Sequence, residues 1–279
     1  MRIALCNEVL REMPFARQCA HAAALGYDAI EIAPFTLGPE PHRLDAGARR
    51  ALRREAEGAG IAVDGLHWLL VTPEGLSVTA DDPEVRARTR AVVTGLVELC
   101  ADLGGRYLVH GSPGQRRLQP GREAEGRARA AEIFAAAAEA AGRAGVTYCL
   151  EPLAPVETDF LTSVAETADL VRTVGHPALR TMIDCSAART EAEPVPDLVR
   201  RWLPTGLIGH IHANDPNRRG PGEGALAFTP ILAALQAGGY AGTIGVEPFV
   251  YEPDGPAAAA RAIGYLRGCL EGVTGPSRR

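Results

Sequence analysis

An alternation of short β-type runs with longer helical stretches leaves few architectures open to this chain. The runs are RIALC (Arg2 to Cys6), AIEIA (Ala29 to Ala33), AVDGLHWL (Ala62 to Leu69), RYLVHG (Arg106 to Gly111), TYCLEP (Thr147 to Pro152), RTMIDC (Arg180 to Cys185), LIGHIHA (Leu207 to Ala213) and TIGVEPF (Thr243 to Phe249). Between them lie segments such as Arg127 to Ala141, where alanine, glutamate and arginine dominate and no proline or glycine intervenes before Gly142. Strands separated by helices of this length pair in parallel through crossover connections, and eight such units can close on themselves. The predicted fold is α/β, a single (β/α)8 TIM barrel spanning residues 1–279. A chain of 279 residues that is 46% hydrophobic has the size of one such barrel and needs no second domain.

The ends of these runs are unusual. Five close on a group able to bind a metal or move a proton, His67, His110, Glu151, Asp184 and Glu247, and the seventh carries His210 and His212 near its end. In a parallel barrel the C-terminal ends of all strands meet at one mouth, so residues distant in sequence become neighbours. Burying several carboxylates and imidazoles together without a counter-charge costs several kcal/mol per group by order of magnitude, and a metal ion removes that cost. His210 lies two residues before His212 and should share its face one layer deeper, in a supporting role.

Four segments carry a family resemblance: LEPL at Leu150 to Leu153, MID at Met182 to Asp184, GHIHANDPNRRGPGEG at Gly209 to Gly224 and GYAGTIGVEPF at Gly239 to Phe249. Through them the chain resembles the sugar phosphate isomerase/epimerase superfamily, the xylose-isomerase-like barrels, and within it the ketose 3-epimerases. The resemblance implies a divalent ion held by Glu151, Asp184, His212 and Glu247. Three carboxylates and one imidazole form a hard, oxygen-rich set that suits manganese first, with magnesium or cobalt as alternatives. It further implies proton abstraction beside a ketone through an enediolate, with Glu151 and Glu247 as the acid/base pair and Glu157 and Arg218 holding the sugar. His67, Trp68 and His110 are further candidates for substrate contact, Trp68 as an apolar wall or as plain core. Glu31 could orient His67, and Arg116 and Arg117 are the basic pair that could meet a phosphate.

The family places a His three residues after its Asp ligand, and here Ala187 stands at that position. The expected substrate is therefore bulkier than a free ketohexose. A metal-dependent lyase or dehydratase acting on a keto-cyclitol or a 3-keto glycoside stays open, since it begins with the same proton abstraction. The superfamily's three-zinc DNA-repair endonuclease needs the absent His and an Asp-x-His pair that GEGALAF lacks.

A formal net charge of -5 argues against a surface that neutralises nucleic-acid phosphates, so the expected partner is a small sugar or cyclitol, with self-association left open. The N-terminus lacks the pattern of a signal peptide, and no apolar stretch reaches the ~18 residues of a membrane span. A cytoplasmic location without membrane contact is expected. The six cysteines show no CxxC spacing and read as small apolar residues in a reducing compartment.

Overall fold

A computed structural model describes residues 1–274. Eight parallel strands form a closed barrel in chain order: β1 (Arg2–Cys6), β2 (Ala29–Ile32), β3 (Ala62–Leu66), β4 (Tyr107–His110), β5 (Thr147–Leu150), β6 (Leu179–Asp184), β7 (Ile208–Ala213) and β8 (Thr243–Val246). Closure is made by β8 on β1, where Arg2 pairs with Thr243 and Leu5 with Val246. The architecture is the predicted (β/α)8 barrel.

Each strand has the expected place, but several end earlier than the apolar run. β3 stops at Leu66, β5 at Leu150 and β8 at Val246. The cause is local: Pro152 and Pro248 bring no N–H to a ladder, and Trp68 holds a left-handed φ of 52° that no strand accommodates. Glu151, Glu247 and His67 therefore stand one residue past their strands, at the rim.

The expected helix over 127–141 is longer in both directions, Glu123–Ala144 (the helix between β4 and β5). It starts earlier because Glu123 and Glu125 place negative charge in the first turn. It runs through Gly142, since one interior glycine costs only about 1 kcal/mol, and ends at Gly145 with φ 71°.

The main core lies between strands and helices, with Leu5, Ile30, Leu108, Leu150, Ile183 and Ile244 among its fully or almost fully buried members. The barrel interior is layered. At the bottom the Arg2 Nε donates to Asp64 at 3.0 Å and the Thr243 hydroxyl donates to the same carboxylate at 2.7 Å. Tyr107, Val109, Cys149 and Met182 make a small apolar cluster of their own. No helix among the described residues is long and apolar enough to cross a membrane. All six cysteines are free, and five of them are buried, as the scattered spacing implied.

Candidate active site

The rim residues of β5, β6, β7 and β8 converge. Ligand atoms of Glu151, Asp184, His212 and Glu247 all lie within 4.8 Å of one another, and all four residues are buried. The His212 Nδ1 faces Glu247 Oε2 at 3.0 Å and Glu151 Oε1 at 3.3 Å. Two glycines make the approach possible. A Cβ at Gly111 would lie 2.1 Å from Glu151 Oε2, and one at Gly245 would lie 2.6 Å from Glu31 Oε2 and 2.8 Å from the His212 ring.

Asp184 is held from two sides. Its Oδ1 accepts from the Ala187 N–H at 2.7 Å as the cap of a one-turn helix (Cys185–Ala188), and its Oδ2 accepts from Asn214 Nδ2 at 2.7 Å. The far nitrogen of His212, Nε2, lies 2.9 Å from Glu31 Oε1. An Nε2–H donated to that carboxylate fixes the tautomer that leaves the Nδ1 lone pair free for an ion, the usual support of a metal-binding imidazole. Glu31 also accepts from the Tyr107 hydroxyl at 2.7 Å and faces His210 Nε2 at 3.1 Å. Burial pushes the Glu31 carboxyl up, but His210 and His212 outweigh it and hold the group well below the carboxylate range. His210 is thus one layer below His212, as expected, with its ring stacked on Tyr107 at 4.1 Å.

The cluster is short of positive charge. Burial, then the carboxylates of Glu151 and Glu247, raise the proton affinity of Asp184. Burial and Glu151 raise that of Glu247, against His212. Burial works against a charged His212, yet Glu247, Glu31 and Glu151 raise it well above its ordinary range. Three carboxylates and an imidazole that compete for protons in a buried pocket are a donor set suited to a divalent cation.

A cavity of about 1070 Å³ opens over these residues, and Trp68, Glu151, Glu157, Asp184, Arg218 and Glu247 are in its wall. Trp68 packs edge-on against Phe35 and Phe249 at 5.5 and 5.8 Å, and the Arg218 guanidinium lies 4.9 Å from the Phe249 ring centre. Trp68, Ser112 and Arg218, all in the wall, have φ values of 52°, 45° and 68°, a conformation costly for residues other than glycine and concentrated at working sites.

His67 and His110 are not in that wall. Both are fully buried. His67 stands at the rim but is sealed from the cavity, with its Nε2 2.9 Å from Glu8 Oε2 and 3.8 Å from Glu247 Oε1. Burial alone would lower its proton affinity, but Glu8, Glu31 and Glu247 raise it to about 9. His110 faces away from the barrel axis: Tyr107 and Val109 point inward, so the alternation of the strand turns His110 toward the helix layer. There its Nδ1 meets the Tyr148 hydroxyl at 2.6 Å and its ring packs edge-on to Phe134. Burial and Arg116 lower its proton affinity to about 3.

Arg116 is a correction as well. It is fully buried and donates from Nη1 to the Glu151 carbonyl at 2.7 Å, so it braces the segment that carries Glu151 and is closed to a phosphate in solution. Arg117 remains exposed in the wall. Glu31 and Asn214 are the supporting groups whose main roles the sequence reading did not assign. A carboxylate between two isoleucines in a strand was one signal, and an Asn two residues after His212 was the other.

These charges have a pH signature. Asp184, Glu247, His67 and His212 all bind a proton more tightly when folded than when unfolded, so their contribution is present at low pH and is lost as pH rises through their folded values. His110 acts in the opposite sense only below its ordinary 6.5. Chelator-treated protein should therefore lose thermal stability between pH 6.5 and 9, by on the order of 10 °C for about one proton at ~1.4 kcal/mol per proton and pH unit. Added Mn²⁺ should flatten the profile. Calorimetric scans across that range test it, and a flat profile without metal would contradict the charge balance described.

The sequence profile of the xylose isomerase-like TIM barrels matches residues 19–269. The chain belongs to this family. Among its relatives is the D-psicose 3-epimerase of Ruminiclostridium cellulolyticum, 28% identical over 234 residues that cover 82% of this chain and 76% of the relative. The L-ribulose 3-epimerase of Mesorhizobium japonicum is 28% identical over 239 residues, covering 85% of this chain and 76% of that one. Of solved structures, 3-keto-D-glucoside 4-epimerase from E. coli superposes with a TM-score of 0.82 at 18% identity, over 96% of this chain and 100% of the other, a likeness of fold. The family member described here thus has ketose 3-epimerases among its relatives, in agreement with the resemblance carried by its strand-end motifs.

Proposed function

We propose that this chain is a divalent-metal-dependent isomerase or epimerase of keto sugars that moves a proton at a carbon beside the ketone. The observation that carries the reading is the buried Glu151, Asp184, His212 and Glu247 cluster, whose three carboxylates line a cavity large enough for a sugar. These residues would hold Mn²⁺, with Mg²⁺ or Co²⁺ as alternatives. When bound, the ion supplies Lewis-acid polarisation of the ketone and its neighbouring hydroxyl.

The rest falls to the protein. Glu151 and Glu247 flank His212 Nδ1 at 3.3 and 3.0 Å, and in turn they take a proton from the carbon and return one to it. Arg218 donates to sugar hydroxyls and Glu157 accepts from them, while Trp68 and Phe249 cover the carbon face of the sugar. The sequence contains no lysine, all 29 basic side chains being arginine, so a lysine Schiff base is not an alternative way to stabilise the carbanion.

Turnover in heavy water tests this reading. Keto sugars and 3-keto glucosides incubated with the Mn²⁺-loaded protein should gain deuterium at the carbon beside the ketone, with product NMR showing an epimer or positional isomer. An isomerised product free of deuterium would point to a hydride shift. An unsaturated ketone with loss of a substituent would make the enzyme a lyase.

A further inference from the structure

The cavity extends well beyond what a six-carbon sugar fills. Even at the ~30 Å³ that liquid water allots to each molecule, the carbon and oxygen atoms of a hexose occupy ~360 Å³, about a third of the space present. The remainder is continuous with the reaction centre, because Glu151, Asp184 and Glu247 share the wall with a set of apolar side chains, Leu153, Val156, Ala187, Leu226 and Phe249. Ala187 is buried one turn past Asp184, and its small side chain opens the pocket on that side. Val156 is the exposed large apolar side chain among the described residues, 89% accessible, and it stands in this wall between β5 and the next helix (Val164–Val174). An apolar side chain left in water beside a reaction centre gains free energy when a ligand covers it.

Three arginines are in the wall, Arg117, Arg189 and Arg218, so an anionic substituent is the alternative that the test must separate. Arg117 gives Nη2 to the Glu157 carbonyl, Arg218 lies over Phe249, and the Glu157 carboxylate shares the wall with them. Resting on the reading of the centre as a proton-transfer site for keto sugars, we propose that the outer cavity takes an apolar substituent joined to the sugar. The substrate class is a keto-sugar conjugate such as a glycoside with an apolar aglycone, and Val156 sets the preference for it.

The test is a series of 3-keto-glucoses that differ at the anomeric carbon alone, bearing hydroxyl, methoxy, phenoxy or phosphate, assayed by deuterium uptake with the Mn²⁺-loaded protein. From hydroxyl to phenoxy, kcat/KM should rise at least about tenfold, as expected for burying a phenyl group, and Val156→Asp should bring that ratio close to one. Val156 is on the surface, so this substitution leaves the core intact. A flat series, a preference for the phosphate, or a ratio that persists in the variant would overturn the assignment. If no member of the series exchanges, the reaction reading fails, and the pocket is judged by calorimetry with unoxidised phenyl β-glucoside and glucose. Tighter binding of the phenyl compound, lost in Val156→Asp, sustains the assignment, and equal binding overturns it.

Discussion

Asp184→Ala is expected to reduce bound metal from close to one equivalent per chain to less than about a tenth, because the variant lacks a ligand charge in a site where even supporting groups alter affinity by ~10–100-fold. Elemental analysis of protein purified without chelator reads this directly. Two structural details make the result interpretable. The Asp184 carboxylate also caps the helix at Cys185–Ala188, and losing such a cap costs only about 1 kcal/mol. The same carboxylate is crowded by Glu151 and Glu247, so removing it relieves repulsion in the metal-free protein. The variant should therefore stay folded, and at pH 8 without metal its Tm should equal or exceed that of the parent. Unchanged metal content would remove Asp184 from the ligand set, whereas an unfolded variant would show that its capping role is larger than the geometry implies.

Glu247→Gln should lower deuterium exchange by ~10²–10⁴-fold, the usual contribution of a positioned acid/base group. Glutamine keeps the size of the side chain and can still lie beside His212 Nδ1, now at 3.0 Å from a Glu247 oxygen, but it cannot accept the proton. Exchange must be measured beside metal content, because the substitution also removes charge from the ligand set. Near-normal exchange with metal retained would take Glu247 out of proton transfer and leave Glu151 to act alone or with a water molecule.

The barrel and the convergence of its polar strand ends were legible in the sequence for a shared reason. Short apolar runs that end in Glu, Asp or His announce both a parallel strand and a polar rim, and the structure brings Glu151, Asp184, His212 and Glu247 together within 4.8 Å. What was not legible is which way each strand-end side chain points. In a parallel barrel both faces of a strand are buried, so apolar and polar residues do not alternate and the sequence carries no phase. His110 therefore read like Glu151, although the inward positions of β4 are Tyr107 and Val109. Glu31 was obscured for a different reason. Its partners are His210 and His212, which are distant in sequence and reach it only when β8 pairs with β1 and brings β2 near β7 across the interior. A carboxylate between Ile30 and Ile32 was visible, but nothing local showed that an imidazole would face it.

Under the proposed function, barrel closure also decides when an ion could bind. Glu151, Asp184, His212 and Glu247 come from four successive strand ends, and the Glu31 that orients His212 comes from the other side of the interior, so a partly assembled barrel offers no complete site. Metal would then be a ligand of the finished fold alone, and a free concentration a hundredfold above its dissociation constant would add about 2.7 kcal/mol to stability. In a cell that runs short of the ion, the protein would lose more than turnover. The intact population would shrink as well, since a deficit of 1–2 kcal/mol is enough to change the abundance of a marginally stable chain several-fold. Supply of the metal would in this way govern how many copies of the enzyme exist, and not only how many are active.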